Sequence, residues 1–178
     1  MVSGEIVAAC EEERHTREKH SREFPVNAIQ SCLRSAGVEI KEVNEIALGY
    51  DPVYHVREAY LRGALEDREK LSSLIASRDR IAERFMSEEL IRAKTGFAGR
   101  INFYRHHECH LASAYYPSGF DEALVVSYDG IGEIESGLIA AGRGDCFEVV
   151  QQGPRFPHSL GLIYSAVTHF LGWKHHCD

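Results

Sequence analysis

The tightest constraint in this sequence lies between Ile101 and Glu133, where a strand-like run, a histidine-bearing helix, a second strand and a glycine turn follow one another directly. Arg105-His106-His107-Glu108-Cys109-His110 leads into Leu111-Ala112-Ser113-Ala114-Tyr115-Tyr116, a helix-compatible run. His106 and His110 stand four apart, so on a helix both imidazoles share one face and one ion can touch both. Asp129 follows the apolar run Ala123-Leu124-Val125-Val126, whose β-branched content and turn-forming exit mark a strand end. A carboxylate there, beside a glycine turn, sits where open α/β sheets place their ligands. Two neutral imidazoles and one carboxylate suit Fe(II), Zn(II) or Mn(II) better than calcium or magnesium, which prefer oxygen. Coordination positions left open would hold a reacting oxygen. Ten histidines in 178 residues make a chance pair at this spacing common, so Asp129 carries much of the argument.

The rest of the chain reads as alternating strands and helices. Glu5 to Cys10 has the character of a short apolar strand, and Glu11 to Arg22 that of a polar turn leading to Phe24-Pro25. From Val26, the positions Ile29, Cys32, Leu33 and Ala36 recur at helical spacing, and Gly37 supplies a stop. Val43 to Tyr50 reads as a buried strand closed by Asp51-Pro52. From Val56 to Lys94 the pattern is helical and highly charged, with Val56/Tyr60, Leu61/Leu65, Leu71/Ile75, Ile81/Phe85 and Met86/Leu90 spaced by four. At least two helices are expected there, the last ended by Gly96. This insertion, about residues 54–96, suggests a dimer arm or a lid with solvated faces. Ile101 to Tyr104 is expected as the strand feeding the histidine helix, which stops at Pro117-Ser118-Gly119. Gly137 to Gly142 and Phe147 to Val150 continue the strands. Ser159 can cap a helix running to Leu171, whose free amides favour an anionic group, while Gly161 lets another backbone approach. A plain cap and packing contact accounts for both equally well. His158, His169, His175 and His176 have no usable partner spacing.

A chain of 178 residues can bury a substantial core. Its charge of -7 argues against a binder of nucleic-acid backbone, and the basic stretch Arg14 to Arg22 is interleaved with glutamates as in a solvated turn. The five cysteines, Cys10, Cys32, Cys109, Cys146 and Cys177, form no Cys-x-x-Cys pair. Without an apolar leader or a run of ~20 apolar residues, the expectation is a reduced, cytoplasmic chain with no membrane span. Cys109 points about 100° away from His110 around the helix and stays outside the site.

His106-His107-Glu108-Cys109-His110-Leu111-Ala112-Ser113-Ala114-Tyr115-Tyr116-Pro117-Ser118 resembles the histidine-helix stretch of the O-carbamoyltransferases of nodulation-factor and antibiotic biosynthesis. Gly4 to His20, with Phe24-Pro25-Val26-Asn27-Ala28-Ile29, is similar to that family's first hairpin and helix. Phe156 to Ala166, followed by Leu171-Gly172-Trp173-Lys174, is similar to its segment after the glycine turn. The resemblance implies an α/β lobe of the actin-like, sugar-kinase and heat-shock ATPase (ribonuclease H-like) fold, with a mixed sheet, flanking helices and the helical insertion.

It implies a divalent metal, iron first among Fe, Zn and Mn, on His106, His110 and Asp129, with a further aspartate ligand beyond Asp178. It also implies a carboxyl-terminal domain, absent here, that makes carbamoyl adenylate from ATP and carbamoyl phosphate. The amino-terminal domain would pass the carbamoyl group to a hydroxyl of a small-molecule or sugar acceptor. Residues 1–178 would then be a partial domain, inactive alone. Asp129-Gly130-Ile131-Gly132 resembles the hairpin by which actin-like ATPases approach phosphates, so Gly130, Gly132, Ser159 and Gly161 are candidates for nucleotide binding. No nucleic acid or membrane partner is expected, and a homodimer is compatible with the insertion. Two alternatives stay open: an enzyme like the tRNA threonylcarbamoyl transferases, and a non-catalytic metal- or nucleotide-binding module.

Overall fold

The computed structural model describes residues 1–19, 21, 23–62 and 67–174. The expectations resting on His20, Arg22, Leu65, His175, His176 and Cys177 lie outside the described residues. Helices α1 (Glu13–Thr16) and α2 (Val26–Ala36) are followed by strand β1 (Glu45–Leu48) and helix α3 (Pro52–Val56), which runs on as a π-turn to Leu61. Helices α4 (Arg68–Ala76), α5 (Arg78–Phe85) and α6 (Ser87–Thr95) precede strand β2 (Arg100–Phe103) and the histidine helix α7 (His106–Tyr115). Strands β3 (Glu122–Tyr128), β4 (Gly137–Arg143) and β5 (Cys146–Gln152) lead to helix α8 (Leu160–Phe170). The class is α/β. In place of one mixed sheet, the described strands form a β1-β2 pair and a separate antiparallel β3-β4-β5 sheet. Among the described residues no helix is long and apolar enough to cross a membrane.

Contacts divide the chain into two units, Met1–Ile46 with Met86–Asn102, and Ala47–Phe85 with Phe103–Asp178. The charged stretch 54–96 is therefore split after Phe85. In the first unit, α2 opens at Pro25 without a side-chain cap of its own. Its orphan donors go instead to the buried Glu12 carboxylate, which accepts the N–H groups of Asn27 (3.4 Å) and Ala28 (2.8 Å) and the Asn27 side-chain amide (2.5 Å). The Ala28 bond comes first in holding the Glu12 carboxyl below the usual carboxylate range. The expected strand Glu5 to Cys10 does not form. Glu5 makes one bridge back to Val2, and a strand has no ladder without a neighbour. The segment Glu11 to Arg22, expected as a turn, contains α1. β1 is shorter than Val43–Tyr50 and alternates exposed with half-buried residues, so it is a one-sided strand and not a buried one.

In the second unit α7 packs on β3 and β4. Leu111 and Tyr115 meet Val125, Leu138 and Ala140 in the buried cluster, flanked by Ala123, Phe147 and Val149. Complete burial of Leu111 and Leu138 is worth about 1.5–3 kcal/mol for each side chain. β3 alternates as its pattern requires, Val125 and Ser127 inward, Leu124, Val126 and Tyr128 outward. Of the insertion's apolar pairs, Leu71/Ile75 and Ile81/Phe85 each fall within one helix, while Met86 lies between α5 and α6, and Leu71, Ile75 and Phe85 are exposed.

Candidate metal centre

The site is built where α7 starts and β3 ends. Arg105 at the head of α7 is extended and offers no side-chain cap. Glu133, 1% exposed, does so from the β3–β4 loop: its carboxylate accepts the N–H of His106 (3.1 and 3.2 Å) and that of Asp51 (2.9 Å). A buried anion at this end also complements the helix dipole. The two-turn stripe His107, Leu111, Tyr115 faces the sheet, which leaves His106 and His110 on a more open face.

There Nε2 of His106 lies 2.8 Å from Oδ2 of Asp129 and 3.0 Å from Nε2 of His110, and His110 Nε2 lies 3.5 Å from the same carboxylate oxygen. All three donor atoms fall within 4.8 Å of one another. Three ligands bound at ~2.0–2.2 Å to one ion stand roughly 3–3.5 Å apart, so the donor set fits a single divalent metal. The three side chains keep 30%, 49% and 42% exposure for His106, His110 and Asp129, an open side through which a further ligand can approach. Burial acts to raise the Asp129 carboxyl, but the His106 bond and the Gly130 N–H at 2.6 Å outweigh it and hold it below its ordinary value. The group is ionised at neutral pH, as a metal ligand must be.

His107, between the two, has another task. It is 2% exposed, with Nε2 2.9 Å from the Glu135 carbonyl and Nδ1 2.8 Å from Ser127 Oγ. A carbonyl only accepts, so Nε2 carries the proton and Ser127 donates to Nδ1. Burial lowers the ring's pKa and keeps it neutral. His107 thus ties α7 to β3 and to the following loop.

That loop runs from Asp129 to Ser136, between β3 and β4. It closes through Asp129 N–H to Ser136 O (3.0 Å) and Gly132 N–H to Glu135 O (2.8 Å). Ser136 Oγ lies 2.9 Å from the carbonyls of Pro154 and His158. Glu135, 1% exposed, pairs with Arg105 at 3.1 Å and accepts the Tyr54 hydroxyl. Arg105 also reaches Glu108 (3.2 Å) and lies 4.3 Å over the Tyr54 ring. Burial first, then Glu135, pushes Tyr54 up to about 12, so the phenol stays a donor. Glu133, Glu135, Arg105, Tyr54 and Ser127 escape sequence reasoning. The only local hint is the Gly-Ile-Gly-Glu-Ile-Glu alternation, which equally suits a solvated turn.

Gly130, Gly132, Ser159 and Gly161 all gather on this loop. Ser159 accepts the Leu162 N–H (3.2 Å), capping α8, and donates to Asp129 O at 2.7 Å. A Cβ on Gly132 would lie 2.9 Å from His107 Cδ2 and 3.2 Å from His106 Cδ2. A Cβ on Gly161 would lie 2.5 Å from Gly130 N and 2.7 Å from Asp129 C, both backbone atoms that cannot step aside. Gly161→Ala is therefore expected to cost about 1–3 kcal/mol through overpacking, read as a lower urea midpoint at unchanged slope. Cys109 stays apart from the ligand cluster, and burial raises its thiol pKa.

Over residues 1–178 the chain matches the family described as carbamoyltransferase N-terminus. It is 37% identical to an uncharacterised protein of Synechocystis over 98% of this chain and 30% of that protein. It is 33% identical to the nodulation protein NolNO of Sinorhizobium fredii over 96% of this chain and 24% of that protein. A shorter stretch, 38% of this chain and 12% of its counterpart, is 45% identical to the nodulation protein NolO of Bradyrhizobium diazoefficiens. The chain spans 24–30% of the length of the first two relatives.

Proposed function

This chain belongs to the carbamoyltransferase N-terminus family, and from that membership we propose that it is the metal-holding part of an ATP-dependent O-carbamoyltransferase. The carbamoyl group would come from carbamoyl adenylate, made elsewhere from ATP and carbamoyl phosphate, and go to a hydroxyl of a small-molecule acceptor. The observation that carries the reading is the convergence of His106 Nε2, His110 Nε2 and Asp129 Oδ2 at 2.8–3.5 Å.

A divalent ion bound there, iron first, supplies Lewis acidity toward an oxygen of the carbamoyl donor or the acceptor. The chain's own residues supply position. His106 and His110 present their Nε2 atoms, Asp129 an ionised oxygen, and Glu133 fixes the first turn from which both imidazoles hang. His107 and Ser127 hold that turn to the sheet. Gly130, Gly132, Ser159 and Gly161 keep backbone close to Asp129, where an adenylate phosphate would find main-chain amides at the start of α8.

The test is metal content after reconstitution with Fe(II), Zn(II) or Mn(II), together with carbamoyl transfer by the protein that carries this chain. About one ion per wild-type chain is expected, lost together with transfer in His110→Ala. Unchanged metal and turnover in that variant would remove the ligand assignment.

A further inference from the structure

The unit that holds the metal ligands also contains a cavity of about 520 Å³, walled by α3 and its π-turn, by α4 and α5, and by the loop that begins at Asp129. Its size falls in the range of small-molecule sites, roughly 300–1,000 Å³. We propose that this cavity binds a phosphorylated, hydroxyl-bearing small molecule of the sugar-phosphate class, and that such a molecule is the carbamoyl acceptor. The binding site stands on the geometry below; the word acceptor rests on the transferase reading above.

Charge is the first observation. Lys70, Arg80 and Arg155 line the cavity, in a chain whose net charge is -7. The lining carboxylate of Glu58 is shared by three guanidinium groups, Arg57 at 3.2 Å, Arg62 at 2.8 Å and Arg155 at 3.4 Å, which leaves positive charge in excess. The other, Glu133, is engaged by the main-chain N–H groups of His106 and Asp51. Such a field suits a dianionic phosphate better than a neutral sugar.

A second, independent observation is His55. Its ring lies between Tyr50 and Tyr60, with centroids 5.7 and 5.6 Å away, and among the described residues its buried Nδ1 has no hydrogen-bond partner. His55 lines the cavity, and a turn of its ring would bring this unpaired nitrogen to a ligand hydroxyl. Ile81, Ile134 and Phe156 supply an apolar wall for the ring face of a sugar. Ile131, Glu133 and Ile134 belong to the loop that starts at Asp129, so the cavity and the metal ligands share one rigidly held segment.

The test is calorimetric titration of the chain with glucose 6-phosphate, glucose and inorganic phosphate at low and high salt. Glucose 6-phosphate should bind saturably and lose affinity with salt, and the other two should bind at least ~10-fold more weakly. The double variant Lys70→Gln/Arg80→Gln, at exposed helix positions, should keep its circular dichroism and bind glucose 6-phosphate at least ~10-fold more weakly. His55→Phe should weaken glucose 6-phosphate more than phosphate. Absence of saturable binding to the wild type, or equal affinity in the double variant, overturns the site. Binding without carbamoylation of glucose 6-phosphate by an otherwise active parent protein keeps the site and overturns the acceptor role. A parent protein that carbamoylates nothing counts against the transferase reading instead.

Discussion

Asp129→Asn is expected to abolish stoichiometric metal uptake while leaving the fold in place. Asparagine keeps an oxygen for the Gly130 N–H, now 2.6 Å from the carboxylate, and the main-chain carbonyl that accepts Ser159 is unchanged. What disappears is the single negative charge among three donors, and with it the only anionic ligand facing His106 and His110 in this cluster. Outer-shell losses alone reach about 10–100-fold in metal affinity, so removal of this ligand should exceed ~100-fold. Competition with a chromophoric chelator measures the affinity. The melting temperature should move by no more than the ~2–4 °C that 1 kcal/mol produces in a chain of this size. Unaltered affinity at one ion per chain would show that the carboxylate is a hydrogen-bond partner of His106 and not a ligand.

Arg105→Ala should have the largest effect on stability. Its side chain is 20% exposed, its partner Glu135 only 2%, and the pair is closed by Tyr54. Removing the guanidinium strands the Glu135 carboxylate in the interior, at a cost of about 3–5 kcal/mol. Glu108→Ala, which removes the more exposed contact of the same arginine, should change stability by no more than ~0.5 kcal/mol. Lysine cannot substitute, because the stacking over Tyr54 at 4.3 Å and the forked contacts to Glu135 and Glu108 need a planar guanidinium. Combining Arg105→Met with Glu135→Gln should recover part of the loss, since no charge is then left unpaired. Urea unfolding of the four variants decides it. A loss under ~1 kcal/mol for Arg105→Ala would mean that Glu135 reaches water.

The parts of the site legible in the sequence are those whose partners lie on one element. His106 and His110 are a turn apart, Asp129 ends an apolar strand, and Ser159 caps its own helix, so period and end signals reveal them. The same local logic misjudges Glu5 to Cys10 and the depth of β1, because apolar content does not say whether a neighbouring strand or a covering layer exists. Nor does it show that Glu133, Ile134, Glu135 and Ser136, which follow the glycine turn, are drawn inward.

Residue pattern alone locates the histidine helix, the strand that ends at Asp129 and the three candidate ligands, since helical period and strand ends are set by near neighbours. Tertiary structure decides that the candidate ligands meet, and how. Glu133 reaches His106 across 27 positions and Asp51 across 82, and Tyr54 reaches Glu135 across 81. Those bonds form because a buried carboxylate must be paired, and which donor pairs with it depends on where folding brings distant segments together.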